Sequence, residues 1–182
     1  MCGIVAILGK QPVVPAMISA LRRLEYRGYD SAGVATLEEG RLARRRAEGK
    51  LRNLEIRLAR DPLSGTTGIG HTRWATHGAP SEANAHPHAT DKLAVVHNGI
   101  IENFRELRTA LRADGVNFSS QTDTEVVAHL VSAEMTKGLR PLEAVAAALP
   151  KLKGAFALAF LFNGETDLLV GARRGNLSAA TS

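Results

Sequence analysis

Apolar residues follow two kinds of spacing along the chain. Short apolar runs bounded by glycine or polar residues predict buried strands, and apolar residues recurring every three or four positions predict helices. Strands are predicted at residues 3–8, 32–37, 67–72 and 93–97. Helices are predicted at residues 14–26 and 51–58, and in three later segments that start near residues 103, 122 and 141. This alternation predicts a mixed α and β architecture.

Two of the predicted helices start at residue pairs that commonly cap helix N-termini. Asn103 precedes Glu106, and Thr122 precedes Glu125, each by three positions. In such a capping box the first side chain accepts a backbone N–H of the first turn, and the second side chain reaches back to the cap. Both pairs are therefore expected to cap their helices.

A hairpin and a long loop complete the predicted organisation. The Asn-Gly pair at 163–164 separates two apolar runs, 155–162 and 166–170, which is typical of a β-hairpin. Residues 73–90 are rich in Gly, Pro, Asn and His and have no periodicity, and loops this long inside a domain are usually functional. We predict one α+β domain of antiparallel strands covered by helices.

Composition narrows the class of protein. A length of 182 residues suits one domain, and 45% hydrophobic with 23% charged residues is typical of a globular chain. The longest apolar stretch, residues 154–162, is too short to cross a bilayer, and no secretory signal is recognised at the N-terminus. The single cysteine excludes an internal disulfide and a multi-cysteine zinc site. A cytoplasmic location is expected.

The net charge of +5 is concentrated in one window. Residues 41–60 contain eight basic and two acidic residues. The favoured interpretation is a solvated basic surface, and an anionic small molecule or a partner domain remains open as its ligand. The window contains no aromatic residue for base stacking, so a nucleic-acid partner is not expected.

Cys2 is the first residue that could carry chemistry. If Met1 is removed, Cys2 combines a thiol nucleophile with a free α-amine of pKa about 7.7–8.0. That amine can accept the thiol proton near neutral pH, so one residue supplies both nucleophile and base. A single cysteine at position 2 is also compatible with no catalytic role.

Six segments, in one order along the chain, change that balance. They are MCGIV (1–5), LEYRGYDSAG (24–33), GHTRWATHG (70–78), NAHPH (84–88), HNGIIEN (97–103) and TDTE (122–125). With them the chain resembles the glutaminase domain of the glutamine–fructose-6-phosphate aminotransferases. The resemblance implies a class II glutamine amidotransferase of the N-terminal-nucleophile hydrolase fold, in which two antiparallel sheets are sandwiched between helices.

The resemblance implies roles at the scissile amide of glutamine. Cys2 would attack the amide carbon and form a γ-glutamyl thioester. The side chain of Asn98 and the backbone N–H of Gly99 would form the oxyanion hole, because a glycine lets a backbone N–H approach the developing charge. An Asn-Gly pair after a strand is equally typical of an ordinary turn.

Other matching residues would hold the amino-acid end of glutamine. Arg73 would bind the α-carboxylate with its two-pronged guanidinium, and Asp123 would receive the α-ammonium group. A surface salt bridge is the alternative interpretation of Arg73, whereas Asp123 could also stabilise a helix N-terminus, and its two roles could hold together. Trp74 begins a mobile loop over the substrate in the family, with Thr76 and His77 beside it.

Supporting residues complete the predicted site. Arg27 approaches the nucleophile in the family, and His86 is the histidine expected nearest to the glutamine pocket. Five of the six histidines fall within residues 71–97, but no recognised metal motif is present. We therefore predict neither a metal nor a cofactor.

The resemblance covers residues 1–175 and leaves residues 176–182 as a divergent tail. Family members continue into further strands and then into a sugar-phosphate isomerase domain, so we expect a glutaminase domain incomplete at its C-terminal end. In the full-length enzyme, implied to be a homodimer, the ammonia would serve glucosamine 6-phosphate synthesis from fructose 6-phosphate. An inactive truncated remnant, and the glutaminase domain of another class II amidotransferase, remain alternatives.

Overall fold

A computed structural model describes residues 2–75 and 78–175, except for the side chain of Arg27. The described strands are β1 (Gly3–Leu8), β2 (Ser31–Glu38), β3 (Arg41–Glu48), β4 (Thr67–Arg73), β5 (His88–Ala89), β6 (Leu93–Gly99), β7 (Phe156–Phe162) and β8 (Leu169–Arg174). The described helices are α1 (Val14–Leu24), α2 (Leu51–Arg60), α3 (Phe104–Ala113), α4 (Thr124–Thr136) and α5 (Pro141–Ala148), with short 3-10 helices at Glu25–Arg27 and Leu149–Lys151. The helix and strand types predicted from the two spacings are confirmed.

The strands form two antiparallel sheets that are stacked between two layers of helices. The first sheet has the order β1-β4-β2-β3, and the second has the order β5-β6-β7-β8. One apolar cluster joins α1 and α2 to the first sheet, and another joins α3, α4 and α5 to the second. A third, smaller cluster lies between the sheets. The predicted α+β class is confirmed.

The layer between the sheets is built from one face of each strand. On β4, Ile69 packs between the sheets, whereas Gly68 and Gly70 lie against Met17 of α1. Since successive side chains of a strand point to opposite faces, His71 and Arg73 share the inner face with Ile69. This alternation carries polar side chains from the first sheet toward the second at the end of β4.

Strand β3 was not predicted. Its sequence, RLARRRAE, reads as a charged surface, but it pairs with all of β2 through a tight turn at Glu39 and Gly40, both at positive φ. It forms an edge of the first sheet, where long basic side chains are tolerated because their stems cover apolar surface. The basic window is thus partly a strand.

Two arginines of β3 hold the long loop in place. Arg46 donates to the carbonyl oxygens of Ala83 and Ala85, and Arg44 donates to that of Pro87. Burial lowers the pKa of Arg46 to about 10. These guanidinium groups are therefore structural donors to the loop, and the carbonyl oxygen of His86 in that loop lies close to Gly33 of β2.

The predicted helix starts are confirmed, but the caps differ. Asn103 precedes α3, yet its side chain bonds the backbone of Lys151 and Lys153 instead of the first turn of its own helix. Thr122 accepts the N–H of Glu125 at 3.4 Å, but the Glu125 carboxylate turns to Ser119 and Ser120. The Asn103 side chain therefore does not cap α3, and in the second pair the bond expected from Glu125 is replaced by bonds to Ser119 and Ser120.

The predicted hairpin is confirmed with a longer connection. β7 and β8 pair antiparallel, and the Asn-Gly pair begins the segment that links them.

No helix in the described part of the chain combines the length and apolar character needed to cross a membrane.

Candidate active site

A narrow cleft opens where β1, β4 and β6 meet the start of α4. Cys2 immediately precedes β1, which pairs with β4 so that Gly3 lies opposite Thr72. Arg73 therefore ends β4 beside Cys2, and Gly99 ends β6 on the facing sheet. The cleft lining consists of Cys2, Arg73, Trp74, His86, His97, Gly99, Thr122, Asp123 and Thr124.

The thiol of Cys2 lies under the backbone of Trp74. The Trp74 N–H donates to Cys2 Sγ at 3.1 Å, and Sγ lies 3.5 Å from the Trp74 carbonyl oxygen. Burial raises the pKa of the Cys2 thiol, and the Trp74 hydrogen bond offsets part of that rise. The thiol is therefore protonated at neutral pH in this environment, and a nucleophilic role needs a nearby base.

Asn98 and Gly99 are the last two residues of a paired strand and not a turn. They lie opposite Ala157 and Phe156 of β7. Asn98 Nδ2 donates to the carbonyl oxygen of Cys2 at 2.9 Å, which joins the second sheet to the segment that precedes β1 of the first. The turn interpretation of this pair is thereby excluded.

Gly99 occupies a position that only glycine fits. Its φ is +115°, a conformation that L side chains rarely adopt, and a Cβ there would lie 2.2 Å from the carbonyl oxygen of Ala155. The backbone of β6 can therefore turn toward the cleft while staying close to the segment before β7.

Arg73 is buried, with 3% of its surface exposed, so it is not a surface salt bridge. Its guanidinium donates to the carbonyl oxygen of Gly78 at 3.0 Å, and Nη1 lies 3.8 Å from Asp30 Oδ1. Asp30 also accepts the N–H of Ala75. A single carboxylate thus joins the arginine to the segment that follows it.

Asp123 is 4% exposed and directed into the protein. Its side chain makes no capping bond to α4, although it stands at the N-terminus of that helix. Instead Oδ2 accepts the N–H of Ile101 at 2.9 Å, and Oδ1 lies 3.8 Å from His97 Nδ1. A role limited to capping does not explain this orientation.

The other predicted residues are placed unevenly. Trp74 is half exposed at the rim, with Tyr29 in edge contact at 5.6 Å between ring centroids. Thr76 and His77 lie outside the described residues. The backbone beside Arg27 approaches the cleft, since a Cβ on Gly28 would lie 2.7 Å from the carbonyl carbon of Arg73.

A buried histidine cluster supports the floor of the cleft. His86 stacks on His71, with centroids 4.2 Å apart, and contacts His88 edge-on. His86 Nε2 and His97 Nδ1 lie 2.8 Å and 2.9 Å from the Thr124 hydroxyl. In the described ranges, no group of three or more potential ligand residues is arranged to hold a metal ion.

His71 and Thr124 were missed as candidate site residues. In the sequence, His71 stands out only as one of five clustered histidines, and Thr124 only as part of the matching segment at residues 122–125. A partial signal was available for His71, because it lies on the strand predicted at residues 67–72 and a strand extended by one residue would place it on the same face as Arg73. The contact of Thr124 with two histidines required the tertiary fold.

The cluster makes the fold sensitive to mild acid. Burial lowers the pKa of His71 and of His88 to about 3, and that of His86 well below its usual value. In the unfolded chain these groups titrate near ~6.5. The unfolded state therefore binds more protons below pH ~6.5, and stability present above that pH is lost as pH falls toward 3.

We expect the free energy of unfolding, from urea titrations, to fall by up to about 4 kcal/mol per pH unit between pH 6 and 5. Each histidine contributes about a third of that slope. His88→Gln is the matched variant. It removes one of the three histidines, so the free energy of unfolding should fall less steeply with pH by the contribution of one histidine. A slope that is flat in this window, or unchanged in the variant, would contradict neutral burial.

Sequence and structure comparisons define the class of protein. A family profile described as "Glutamine amidotransferase domain" matches residues 71–175. Among solved structures, the glutamine phosphoribosylpyrophosphate amidotransferase from B. subtilis covers 90% of this chain and 35% of its own, with a TM-score of 0.78 and 25% identity. A glutamine aminotransferase class-II domain protein from Silicibacter pomeroyi matches with a TM-score of 0.61 over 95% of this chain and 76% of its own, at 18% identity, which shows the fold alone. The chain belongs to the glutamine amidotransferase domain family and has the expected N-terminal-nucleophile hydrolase fold.

Relatives with higher identity narrow the resemblance further. The glutamine–fructose-6-phosphate aminotransferases (isomerizing) of Mesorhizobium japonicum and Brucella suis are 69% and 67% identical over 175 residues. That of Caulobacter vibrioides is 59% identical over 176 residues. These matches cover 96–97% of this chain but 29% of each relative. The chain therefore spans less than a third of the length of these relatives.

Proposed function

We propose that this chain hydrolyses the side-chain amide of glutamine through a thioester on Cys2. The observation that carries the proposal is the single cleft that joins Cys2, Arg73, Gly99 and Asp123, with Asn98 hydrogen-bonded to the Cys2 backbone. These groups come from both sheets and one helix start. Their convergence supplies a nucleophile, oxyanion donors and two charges that match an amino acid.

The first half of the reaction starts after removal of Met1. The α-amine of Cys2 accepts the thiol proton, which compensates for the burial that raises the thiol pKa. The thiolate then attacks the amide carbon of glutamine. Asn98 Nδ2–H and the Gly99 N–H stabilise the oxygen that becomes negative, an interaction worth about 3 kcal/mol per donor.

The remaining steps release ammonia and then glutamate. The protonated amine gives its proton to the departing nitrogen, the C–N bond breaks, and ammonia leaves behind a γ-glutamyl thioester. Water, deprotonated by the same amine, attacks the thioester carbon. The C–S bond breaks, glutamate is released, and the thiol regains its proton.

The charges at the other end of the cleft orient the substrate. Arg73 offers two parallel N–H donors to the α-carboxylate, and buried Asp123 offers a carboxylate to the α-ammonium group. Trp74, with Thr76 and His77, would cover the bound amino acid, and Arg27 and His86 would support the walls.

We expect Arg73→Lys and Asp123→Asn each to raise KM for glutamine by at least ~10-fold, with kcat changed by less than about threefold. Both contacts are made equally in the ground state and the transition state, and lost uniform binding appears in KM. Steady-state ammonia release measures both constants. Arg57→Lys, at an exposed ion pair with Glu82, is the matched control and should change neither. A fall in kcat at saturating glutamine with KM unchanged would overturn the assignment.

The wider reaction follows from the relatives' names. Residues 1–175 would form the glutaminase domain of a longer cytoplasmic homodimer, in which a sugar-phosphate isomerase domain uses the ammonia to make glucosamine 6-phosphate from fructose 6-phosphate. The identity of 59–69% to aminotransferases, against 25% to the phosphoribosylpyrophosphate enzyme, favours this acceptor.

The direct test is mass spectrometry of the purified chain combined with a glutaminase assay. Loss of the Met1 mass together with release of ammonia and glutamate supports the proposal. Protein that lacks Met1 but releases no ammonia from glutamine would refute it for this chain.

A further inference from the structure

We infer that His71 is a positioning residue that orients the side-chain amide of Asn98, so that its NH2 end faces Cys2. The inference rests on the proposed glutaminase function and adds a residue to it. His71 is not among the residues that line the cleft. It would act through Asn98, whose amide is useful to an oxyanion in only one of its two orientations.

The first constraint on the orientation of the Asn98 amide comes from a backbone carbonyl oxygen, which can only accept a hydrogen bond. His71 Nε2 lies 2.9 Å from the backbone oxygen of His97 and 2.9 Å from Asn98 Oδ1. Because a carbonyl oxygen has no proton to give, Nε2 must carry the hydrogen. The Asn98 atom that faces this N–H must then be an acceptor, which assigns the oxygen of the amide to the His71 side.

The second constraint lies at the other end of the same amide. Asn98 Nδ2 donates to the carbonyl oxygen of Cys2 at 2.9 Å, and that oxygen also can only accept. A flipped amide would set donor against donor at His71 and acceptor against acceptor at Cys2. A polar group left unsatisfied in the interior costs about 1–3 kcal/mol, and at these half-buried contacts both ends favour the same orientation.

The imidazole that carries this constraint is itself fixed. His71 is fully buried in β4, and His86 stacks on it with 27° between the ring planes. His86 is anchored in turn by the Thr124 hydroxyl at the start of α4. Burial holds the pKa of His71 near 3, so the ring stays neutral throughout the physiological range.

This arrangement predicts a specific kinetic signature. A tetrahedral oxyanion exists only after the thiolate attacks, whereas bound glutamine presents a neutral amide. Loss of amide orientation therefore reduces stabilisation of the transition state and leaves binding of the substrate largely unchanged. Removing one oxyanion donor outright lowers kcat by roughly 10²–10³-fold, and misorienting it should cost part of that factor.

The experiment compares His71→Phe, which keeps the ring shape without a donor, with His71→Gln, whose amide N–H can replace Nε2–H. We expect Phe to lower kcat by about 10–100-fold with KM for glutamine within twofold, and Gln to restore kcat to within about fivefold of the parent. Urea unfolding checks that each variant is folded. If His71→Phe does not fold, His71→Met is the second variant without a donor.

Two further measurements separate positioning from general damage. Alkylation of Cys2 by iodoacetamide forms no oxyanion, so its rate should be unchanged by His71→Phe. In an Asn98→Ala background, His71→Phe should cause less than a twofold further loss, because the amide it acts on is gone.

The outcomes distinguish the two proposals. If Asn98→Ala alone leaves kcat unchanged, the oxyanion role in the proposed function fails. If Asn98→Ala lowers kcat but His71→Phe lowers it equally in both backgrounds, or also slows alkylation, the role of Asn98 stands and the role of His71 is refuted.

Discussion

Replacing Cys2 by alanine is expected to lower the rate of glutamine hydrolysis by at least ~10⁴-fold while leaving the fold intact. The substitution removes the only thiol of the chain, and no other group in the cleft could form the thioester. Its structural cost should be small, because the hydrogen bonds that the thiol makes within the described residues are those with the Trp74 backbone. Ammonia release with excess enzyme measures the first effect, and urea unfolding measures the second.

Two controls make this result specific. Cys2→Ser keeps a nucleophilic atom and a hydrogen-bond acceptor for the Trp74 N–H, so it should fold like the parent and retain only a trace of activity. Protein that retains Met1 should be as inactive as Cys2→Ala, because an acylated amine cannot act as the base. Turnover by Cys2→Ala above background, or full activity with Met1 in place, would exclude the covalent mechanism with its N-terminal base.

Replacing Gly99 by alanine is expected to destabilise the fold by about 3 kcal/mol or more and to abolish glutaminase activity. The added Cβ would lie 2.2 Å from the Ala155 carbonyl oxygen and 2.9 Å from the Phe156 Cα, so backbone would have to move. The φ of +115° adds strain for any L side chain. Urea unfolding gives the loss of stability, and ammonia release gives the loss of activity.

Gly115→Ala is the matched control for that substitution. Gly115 also has a positive φ, +87°, but a Cβ there meets no atom within 4 Å. It should therefore show only the backbone strain, about 1–2 kcal/mol, with activity unchanged. Equal losses of stability at the two positions would mean that the contact with Ala155 is not what requires glycine at position 99.

The periodic elements were predictable because burial on one face leaves its spacing in the sequence. The run at residues 3–8 coincides with β1, and Met17 and Leu21 mark the buried face of α1. β3 left no such trace, because the arginines that bond the carbonyl oxygens of the long loop read in the sequence as a charged surface. The cap at Asn103 was misassigned for a related reason, because the partner of its side chain lies almost fifty residues away.

Part of the candidate site was likewise predictable from the sequence, and part depended on the tertiary structure. The residue types and their order determined the family resemblance, and with it the assignment of Cys2, Arg73, Asn98, Gly99 and Asp123. Local sequence could not decide between turn and strand at Asn98, nor between cap and pocket at Asp123. Those choices depend on pairing with β7 and on the orientation of α4.

The sequence by itself determined the periodic elements, the mixed α and β class and, through the family resemblance, which residues are candidates for chemistry. Only the tertiary structure decided which side chains meet. The link from Thr124 through His86 and His71 to Asn98 joins α4, the long loop, β4 and β6. Hydrogen bonds between distant segments leave no periodic signal in the sequence, because the partner of each polar side chain lies far away along the chain. The packing of the two sheets brings them together, and with them the Asn98 amide is held between His71 and the backbone of Cys2.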